Sequence, residues 1–279
     1  MIIDVHAHLF PETVRENRED FFTDEPAFRS LYSSPRSKLI GAQHLIAAMD
    51  AHGVDRTVVF GFPWQRAETF KRHNDYIMEA VARFPERLIG FGCFDAAHPD
   101  APDETARCLD GNLSGIGELA FYQAGLDDRA LDHLDPVMNI CRKRNVPVMI
   151  HTNEPVGHDY PGKSPNTLSQ IYRMVKSYAE NKIILAHWGG GLFFFGLLKK
   201  EVDDVLKNVY FDTAASPYLY RPQVYWVAQQ VVGLGKIMFG SDYPLLPPDR
   251  YFEDMRAGGL SAAQIESICG LNAQRLLYG

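Results

Sequence analysis

The sequence is poor in cysteine, and its cysteines do not occur in close pairs. Cys93, Cys108, Cys141 and Cys269 lie far apart in a chain of 279 residues, so they fit neither a disulfide framework nor a cysteine-based zinc site. We interpret them as reduced thiols. Low-complexity runs are also missing, and 46% of the residues are hydrophobic while 23% are charged, which argues against a disordered chain.

Long apolar runs and an excess of basic residues are absent as well. The apolar stretches are far shorter than the roughly 20 residues of a membrane span. No basic segment precedes Asp4 and His6, which stand where a signal peptide would have its apolar region. We therefore expect a cytoplasmic protein with no membrane partner. The net charge of −7 argues against a general nucleic-acid binder, so a small molecule is the expected partner.

What the chain does contain is a recurring alternation of two patterns. Short runs rich in Val, Ile and Phe predict eight strands, at residues 2–7, 56–62, 87–94, 115–121, 147–152, 182–188, 208–213 and 236–242. Helical periodicity lies between them, including 41–52, 67–84, 130–145, 192–207 and 222–233. Two extra helices follow at the C-terminus, the first with Ser261 as its N-cap.

This alternation predicts an α/β fold of the (β/α)8 TIM-barrel type. A doubly wound sheet is the competing topology, but no glycine-rich phosphate fingerprint follows the first strand. The interval after that strand is longer than the others, and residues 10–40 are mixed in charge, aromatic and proline-containing. We interpret 10–40 as a lid-like insertion within one domain that spans residues 1–279.

Metal-competent side chains stand at the C-terminal ends of five predicted strands, where the active sites of such barrels lie. They are His6, His8, Glu118, His151, His187 and Asp242. Each alone has an ordinary structural explanation, but six in one layer predict a metal site. Asp4 shares strand parity with the first two histidines, and it either orients one of them or bonds to backbone groups.

Four segments, DVHAHLF, VMIHTNEP, ILAHWGGG and MFGSDYP, resemble in order and spacing the amidohydrolase superfamily of metal-dependent barrels. The closest likeness is to its amidohydrolase-related group, which contains decarboxylase-like members and metal-dependent hydrolases, and it covers essentially the whole chain. Two-metal members usually bridge their ions with a carboxylated lysine or a glutamate. No lysine stands at the ends of strands four or five, whereas Glu118 is similar in placement to the bridging glutamate. Many decarboxylase-like members lack that glutamate, so the count of one or two ions stays open.

Imidazole and carboxylate ligands without thiolate suit Zn²⁺ first, with Mn²⁺, Fe²⁺ and Co²⁺ as alternatives. With one ion, the metal is held by His6, His8, His151 and Asp242. His187 then faces water or substrate. With two ions, the first-strand histidines and Asp242 serve one, His151 and His187 serve the other, and Glu118 bridges them. The resemblance implies that Asp242 accepts or shuttles a proton, so Asp242 and His187 are the predicted catalytic residues.

Substrate contacts are expected from the loops at the barrel mouth. The loop 152–165 follows a strand that carries a predicted ligand, and a loop of this length over a barrel mouth is often functional. The candidate substrate-binding residues are Asn153, Glu154, Tyr160, Lys163 and Trp188.

The main functional prediction is a hydrolase that activates a metal-bound water to cleave a C–O or C–N bond of a small lactone, ester or amide. The alternative is a metal-dependent non-oxidative decarboxylase, a lyase, of an aromatic or unsaturated acid. Arg66, Lys163 or Arg221 binding a substrate carboxylate would favour the lyase, and Glu118 as a ligand would favour hydrolysis. A non-catalytic barrel with a structural metal fits less well, because structural sites are closed. A homo-oligomer is expected only by analogy with the superfamily.

Overall fold

The computed structural model describes residues 1–199 and 201–279. Its sheet has eight parallel strands paired in sequence order. They are β1 Ile3–His8, β2 Arg56–Phe60, β3 Leu88–Gly92, β4 Gly115–Leu119, β5 Val148–Ile150, β6 Ile183–Leu185, β7 Val209–Asp212 and β8 Ile237–Met238. All eight predicted strands are present, and with helices between them they confirm the (β/α)8 barrel.

The segment that follows β8 closes the barrel against β1. The Asp242 N–H donates to the carbonyl oxygen of His6 at 2.9 Å, and the His8 N–H donates to that of Tyr243 at 2.9 Å. These backbone bonds hold Asp242 beside both histidines of β1. Proximity of these three residues therefore follows from barrel closure itself.

The helices surround the barrel in the expected alternation. They are α1 Glu12–Glu16, α2 Pro26–Tyr32, α3 Ala42–His52, α4 Ala67–Arg83, α5 Ala101–Asp110, α6 Asp128–Arg144, α7 Leu168–Ser177, α8 Val202–Val205, α9 Ser216–Leu219, α10 Gln223–Val232, α11 Pro248–Ala257, α12 Ala262–Glu266 and α13 Asn272–Tyr278. The predicted N-cap at Ser261 is confirmed, because its hydroxyl accepts the Gln264 N–H in a capping box. No helix among the described residues has the length and apolar character needed to cross a membrane.

The prediction of a helix at 192–207 is wrong. Residues His187–Leu197 form an irregular 3-10 segment, residue 200 lies outside the described residues, and the short α8 follows at Val202–Val205. Five successive residues, from His187 to Gly191, have φ between 55° and 96°. A run in the left-handed region cannot continue into a right-handed helix, and it is costly for His187 and Trp188, which carry side chains.

Two hydrophobic clusters follow the alternation of the strands. The smaller cluster contains Val58 and Phe60 of β2, Met149 of β5 and Ile184 of β6, together with side chains of α13. Residues between these positions, such as Val59, belong to the larger cluster with the surrounding helices. The smaller cluster is therefore the barrel interior below the strand ends. All four cysteines are buried and free, as interpreted from their spacing.

The insertion at 10–40 folds into α1, a 3-10 turn and α2. Phe28 of α2 packs its ring 4.5 Å from that of Trp64 and 5.4 Å from that of Phe62, centroid to centroid. The buried Glu25 carboxylate accepts the backbone N–H groups of Gln65 and Arg66 at 3.0 to 3.1 Å. The insertion is thus fixed to the chain that leaves β2, and its role as a lid stays a prediction.

His73 is a buried, uncharged histidine that ties α4 to the end of β1. Its Nε2–H donates to the Leu9 carbonyl oxygen at 2.6 Å, and its Nδ1 accepts from Trp64 Nε1–H at 2.7 Å. Burial is the main reason that the pKa of His73 is lowered to about 4.

Stability should consequently fall in acid. The unfolded chain takes up a proton at His73 below its ordinary pKa near 6.5, while the folded chain resists protonation until about pH 4. We expect the free energy of unfolding to fall by about 3 kcal/mol as the pH is lowered from 6.5 to about 4. Denaturant titrations of metal-free wild type and His73→Gln at pH 7 and pH 4.5 measure the difference. Equal acid sensitivity of the two proteins would contradict the assignment.

Candidate metal centre

Four polar atoms from β1, β4 and the segment after β8 converge at the C-terminal mouth of the barrel. His6 Nε2 lies 3.6 Å from Glu118 Oε2 and 3.6 Å from Asp242 Oδ1. His8 Nε2 lies 3.7 Å and 3.5 Å from the same two oxygens. In a tetrahedral site with metal–ligand distances of about 2.1 Å, neighbouring ligand atoms lie about 3.4 Å apart. Each of the four histidine–carboxylate distances therefore matches the spacing of two ligands on one divalent ion.

A second observation fits a cation at this point. His6 Nε2 is buried and has no hydrogen-bond partner among the residues that the structure describes, although buried polar atoms are almost always paired. The opposite ring nitrogens of both histidines face acceptors, since His6 Nδ1 donates to Asp212 Oδ2 at 2.8 Å and His8 Nδ1 donates to the Gly61 carbonyl oxygen at 3.0 Å. With the protons on Nδ1, both Nε2 lone pairs are free to bind a metal.

The other oxygen of Glu118 faces a second group of histidines. Its Oε1 lies 2.9 Å from His151 Nδ1 and 3.4 Å from His187 Nε2. His187 Nδ1 donates to the Ala214 carbonyl oxygen at 3.0 Å, while His151 Nε2 donates to the Gly162 carbonyl oxygen at 2.9 Å. The structure thus brings all six predicted ligand residues together around Glu118.

The electrostatics of the site favour positive charge. Burial alone would lower the pKa of His6, but the carboxylates of Glu118 and Asp212 outweigh it and raise that pKa to about 10. Burial likewise opposes the charge on His187, and Glu118 raises its pKa to about 9. Burial would raise the pKa of Glu118, yet the neighbouring histidines hold it well below its usual value. Such a buried set of carboxylates stabilises a cation, whether protons or a metal ion.

The candidate substrate-binding residues of the loop after β5 are largely engaged with one another. The Asn153 side chain bonds to the backbone of Glu154 and to the backbone and hydroxyl of Ser164. Glu154 accepts from the Tyr160 hydroxyl at 2.8 Å and pairs with Lys163 at 3.3 Å. Asn153 is therefore a loop-fixing residue, whereas Glu154, Tyr160 and Lys163 form a linked polar cluster that is partly accessible.

Trp188 does not face the barrel mouth as the substrate-contact prediction requires. Its side chain is fully buried, its Nε1–H donates to the Ser216 hydroxyl at 2.9 Å, and its ring packs against Phe193 and Tyr225. The left-handed backbone at Trp188 directs the indole into the core. We withdraw Trp188 as a substrate contact.

The three basic residues considered for a substrate carboxylate are exposed or are engaged with other groups of the protein. Arg66 is 58% exposed and pairs with Asp24 at 2.9 Å, and Arg221 is exposed. Lys163 donates to the carbonyl oxygens of Val156 and His158 within its own loop.

Three residues that the sequence analysis did not name contribute to the site, and they are Asp212, Tyr122 and Tyr32. Asp212, at the end of β7, contacts His6, and its strand-end position was a usable signal. Of the two roles left open for Asp4, the structure shows bonds to backbone N–H groups and to the Ser241 hydroxyl. Tyr122 lies with its ring 5.5 Å from that of His151.

Tyr32, from the insertion, is the third of these residues. Burial and the charges of Asp242 and Glu118 raise its pKa, which indicates that α2 reaches toward the metal-competent cluster. Nothing in the pattern of the insertion pointed to this proximity.

Comparison with known proteins identifies the relatives of the chain. The sequence model described as "Amidohydrolase" matches residues 3–278. A gamma-resorcylate decarboxylase from Polaromonas sp. strain JS666 is 26% identical, over 92% of this chain and 96% of the relative.

Solved structures share the fold. The 5-carboxyvanillate decarboxylase from Sphingomonas paucimobilis superposes with a TM-score of 0.75 at 20% identity, covering 99% of this chain and 98% of that one. A dihydroxybenzoic acid decarboxylase from Polaromonas sp. JS666, solved with bound manganese and the inhibitor 2-nitroresorcinol, gives 0.70 at 20% identity, covering 99% and 96%.

Proposed function

Because the chain belongs to the amidohydrolase family, we propose that it is a divalent-metal-dependent lyase that removes carbon dioxide from an aromatic or unsaturated carboxylic acid. The observation that carries the proposal is the convergence of four ligand atoms around the unpartnered His6 Nε2. It occurs in a chain that aligns almost end to end with a decarboxylase. Of the two reactions considered from sequence, this relationship favours the alternative over hydrolysis.

We assign the ion to His6, His8, Glu118 and Asp242, with His151 and His187 on the other side of Glu118. Mn²⁺ is the first ion to test, ahead of Zn²⁺, because the similar Polaromonas structure holds manganese. When bound, a divalent ion supplies the positive charge that binds and polarises the anionic oxygens of the acid.

Decarboxylation replaces a carboxyl group with a proton, so the chain must hold a proton near the reacting carbon. His187 is suited to this step, because the Ala214 carbonyl oxygen fixes its Nδ1–H and its Nε2 lies 3.4 Å from Glu118. The proton passes from Nε2 to the carbon, the carbon–carbon bond breaks, carbon dioxide leaves, and the electron pair stays with the product. Asp242 keeps its predicted role, which is to accept or shuttle a proton.

Recognition of the acid falls to neutral groups in addition to the ion. The phenols of Tyr122 and Tyr32 belong to the surroundings of Glu118, as the contribution of its charge to their raised pKa values indicates. Phenolic hydroxyls donate hydrogen bonds to carboxylate or hydroxyl oxygens without adding charge. Tyr32 would then let the insertion act as the lid predicted from its length.

The proposal is tested by loading the purified protein with Mn²⁺ and supplying gamma-resorcylate or 5-carboxyvanillate. We expect carbon dioxide release that depends on Mn²⁺ and stops with a chelator, and elemental analysis should give one or two ions per chain. A protein that takes up no divalent ion from Mn²⁺ or Zn²⁺ would overturn the proposal.

Hydrolysis remains a second candidate because Glu118, the residue expected to favour it, lies within ligand distance of both groups of histidines. The same metal-loaded preparation should be offered lactones, esters and amides. Turnover of these compounds, with none of the acids, would assign the site to hydrolysis.

A further inference from the structure

Asp212 is the buried residue that joins His6, an assigned ligand, to His187, the proposed proton donor. Its Oδ2 accepts the Nδ1–H of His6 at 2.8 Å. Its Oδ1 accepts the backbone N–H groups of His187 at 2.8 Å and Ala214 at 3.0 Å. The carboxylate is fully buried, so these three donors stabilise its charge in place of water.

The short segment Asp212 to Ala214 therefore determines the orientation of both rings. Asp212 accepts from the His6 ring, and the Ala214 carbonyl oxygen accepts from the His187 ring. Both Nδ1 atoms carry the proton in this arrangement, so both Nε2 atoms face the cluster. Gly240 packs against the pair, where an added Cβ would lie 2.9 Å from His6 Cβ and 3.3 Å from Asp212 Cβ. This close approach holds the pair in its present geometry.

We propose that Asp212 is a positioning residue that sets the ring tautomer of His6 and couples it to the turn carrying His187. The inference rests on the metal site of the proposed function, and it is independent of which reaction that site performs. A carboxylate can only accept at Nδ1, whereas an asparagine amide can also donate there. In Asp212→Asn, an amide N–H turned toward Nδ1 moves the His6 proton to Nε2, the atom that must bind the ion.

Asp4→Asn is a matched control. Asp4 is also buried, and it contacts the same histidine, but only through the backbone N–H of His6 and through Ser241. The two variants make the same carboxylate-to-amide change in buried residues that both contact His6. Only Asp212→Asn changes a bond to the His6 ring.

The test is the affinity of the full-length chain for Mn²⁺, measured by electron paramagnetic resonance of free Mn²⁺ during titration. We expect Asp212→Asn to bind about 10- to 100-fold more weakly than wild type, and Asp4→Asn to stay within about threefold. Equal affinity of Asp212→Asn and wild type, or equal weakening in both variants, would overturn the inference alone. A wild-type chain that binds no Mn²⁺ would overturn the proposed function and the inference with it.

A spectroscopic measurement covers the case in which Asp212→Asn fails to fold. In wild-type protein loaded with diamagnetic Zn²⁺, the ¹⁵N shifts of the His6 ring should show a protonated Nδ1 and a metal-bound Nε2. The reverse assignment would overturn the inference.

Discussion

Replacing His8 with alanine is expected to lower kcat/KM for decarboxylation by ~1000-fold, because an ion worth several kcal/mol of transition-state stabilisation loses one of its four ligand atoms. His8 Nε2 lies 3.5 Å and 3.7 Å from the two carboxylate oxygens of the cluster. Its side chain is 13% exposed, so water can fill the space that alanine leaves. His6 is less suitable for this test, because its removal leaves the buried Asp212 carboxylate without the His6 ring as a hydrogen-bond donor.

The measurement pairs kinetics with Mn²⁺ content per chain. The matched control is His44→Ala, which removes the same side chain from an exposed position on α3 and should leave both quantities unchanged. Circular dichroism checks that each variant is folded. If His8→Ala keeps its manganese and its rate, His8 is not a ligand.

Replacing His187 with glutamine should lower kcat by about 10²- to 10⁴-fold, the usual contribution of a positioned general acid. Glutamine retains a hydrogen-bond donor of similar length, but it cannot give up a proton at neutral pH. The loss should therefore appear in kcat while the Mn²⁺ content stays at the wild-type value.

The Mn²⁺ content of this variant separates the two roles open to His187. If the ion count falls from two to one, His187 is a ligand of a second ion bridged by Glu118, and the proton-donor assignment is wrong. Unchanged kcat would exclude both roles. His44→Gln serves as the surface control for the same substitution.

The barrel was predictable because its strands and helices follow from local sequence patterns. Eight apolar runs alternating with helical periodicity specify strands and helices through side-chain direction and burial, which depend on neighbouring residues. The same reasoning failed at 192–207, where a 3-10 segment that begins with five left-handed residues, His187–Gly191, continues to Leu197 in place of the expected helix. Helical periodicity resumes after the glycines, but it does not reveal that the backbone has turned left-handed before them.

The residues of the site likewise fall into those that local pattern predicts and those that it does not. Metal-competent side chains at the ends of several strands were visible in the sequence, because parallel strands of a barrel bring their C-terminal ends to one mouth. Residues whose role depends on a distant partner were assigned less well. Trp188 was expected at the mouth and lies in the core, and the partner of the His6 ring is Asp212, 206 residues away, rather than the nearby Asp4.

The sequence by itself determined the strand order, the ligand types and the end of the barrel where they meet, since each depends on residue identity and local periodicity. Only the tertiary structure decided which oxygen of Glu118 faces which histidine, which ring nitrogen each histidine presents, and how far the insertion reaches toward the cluster. Those features arise from contacts between residues far apart in the chain, and the packing of the whole barrel sets their distances.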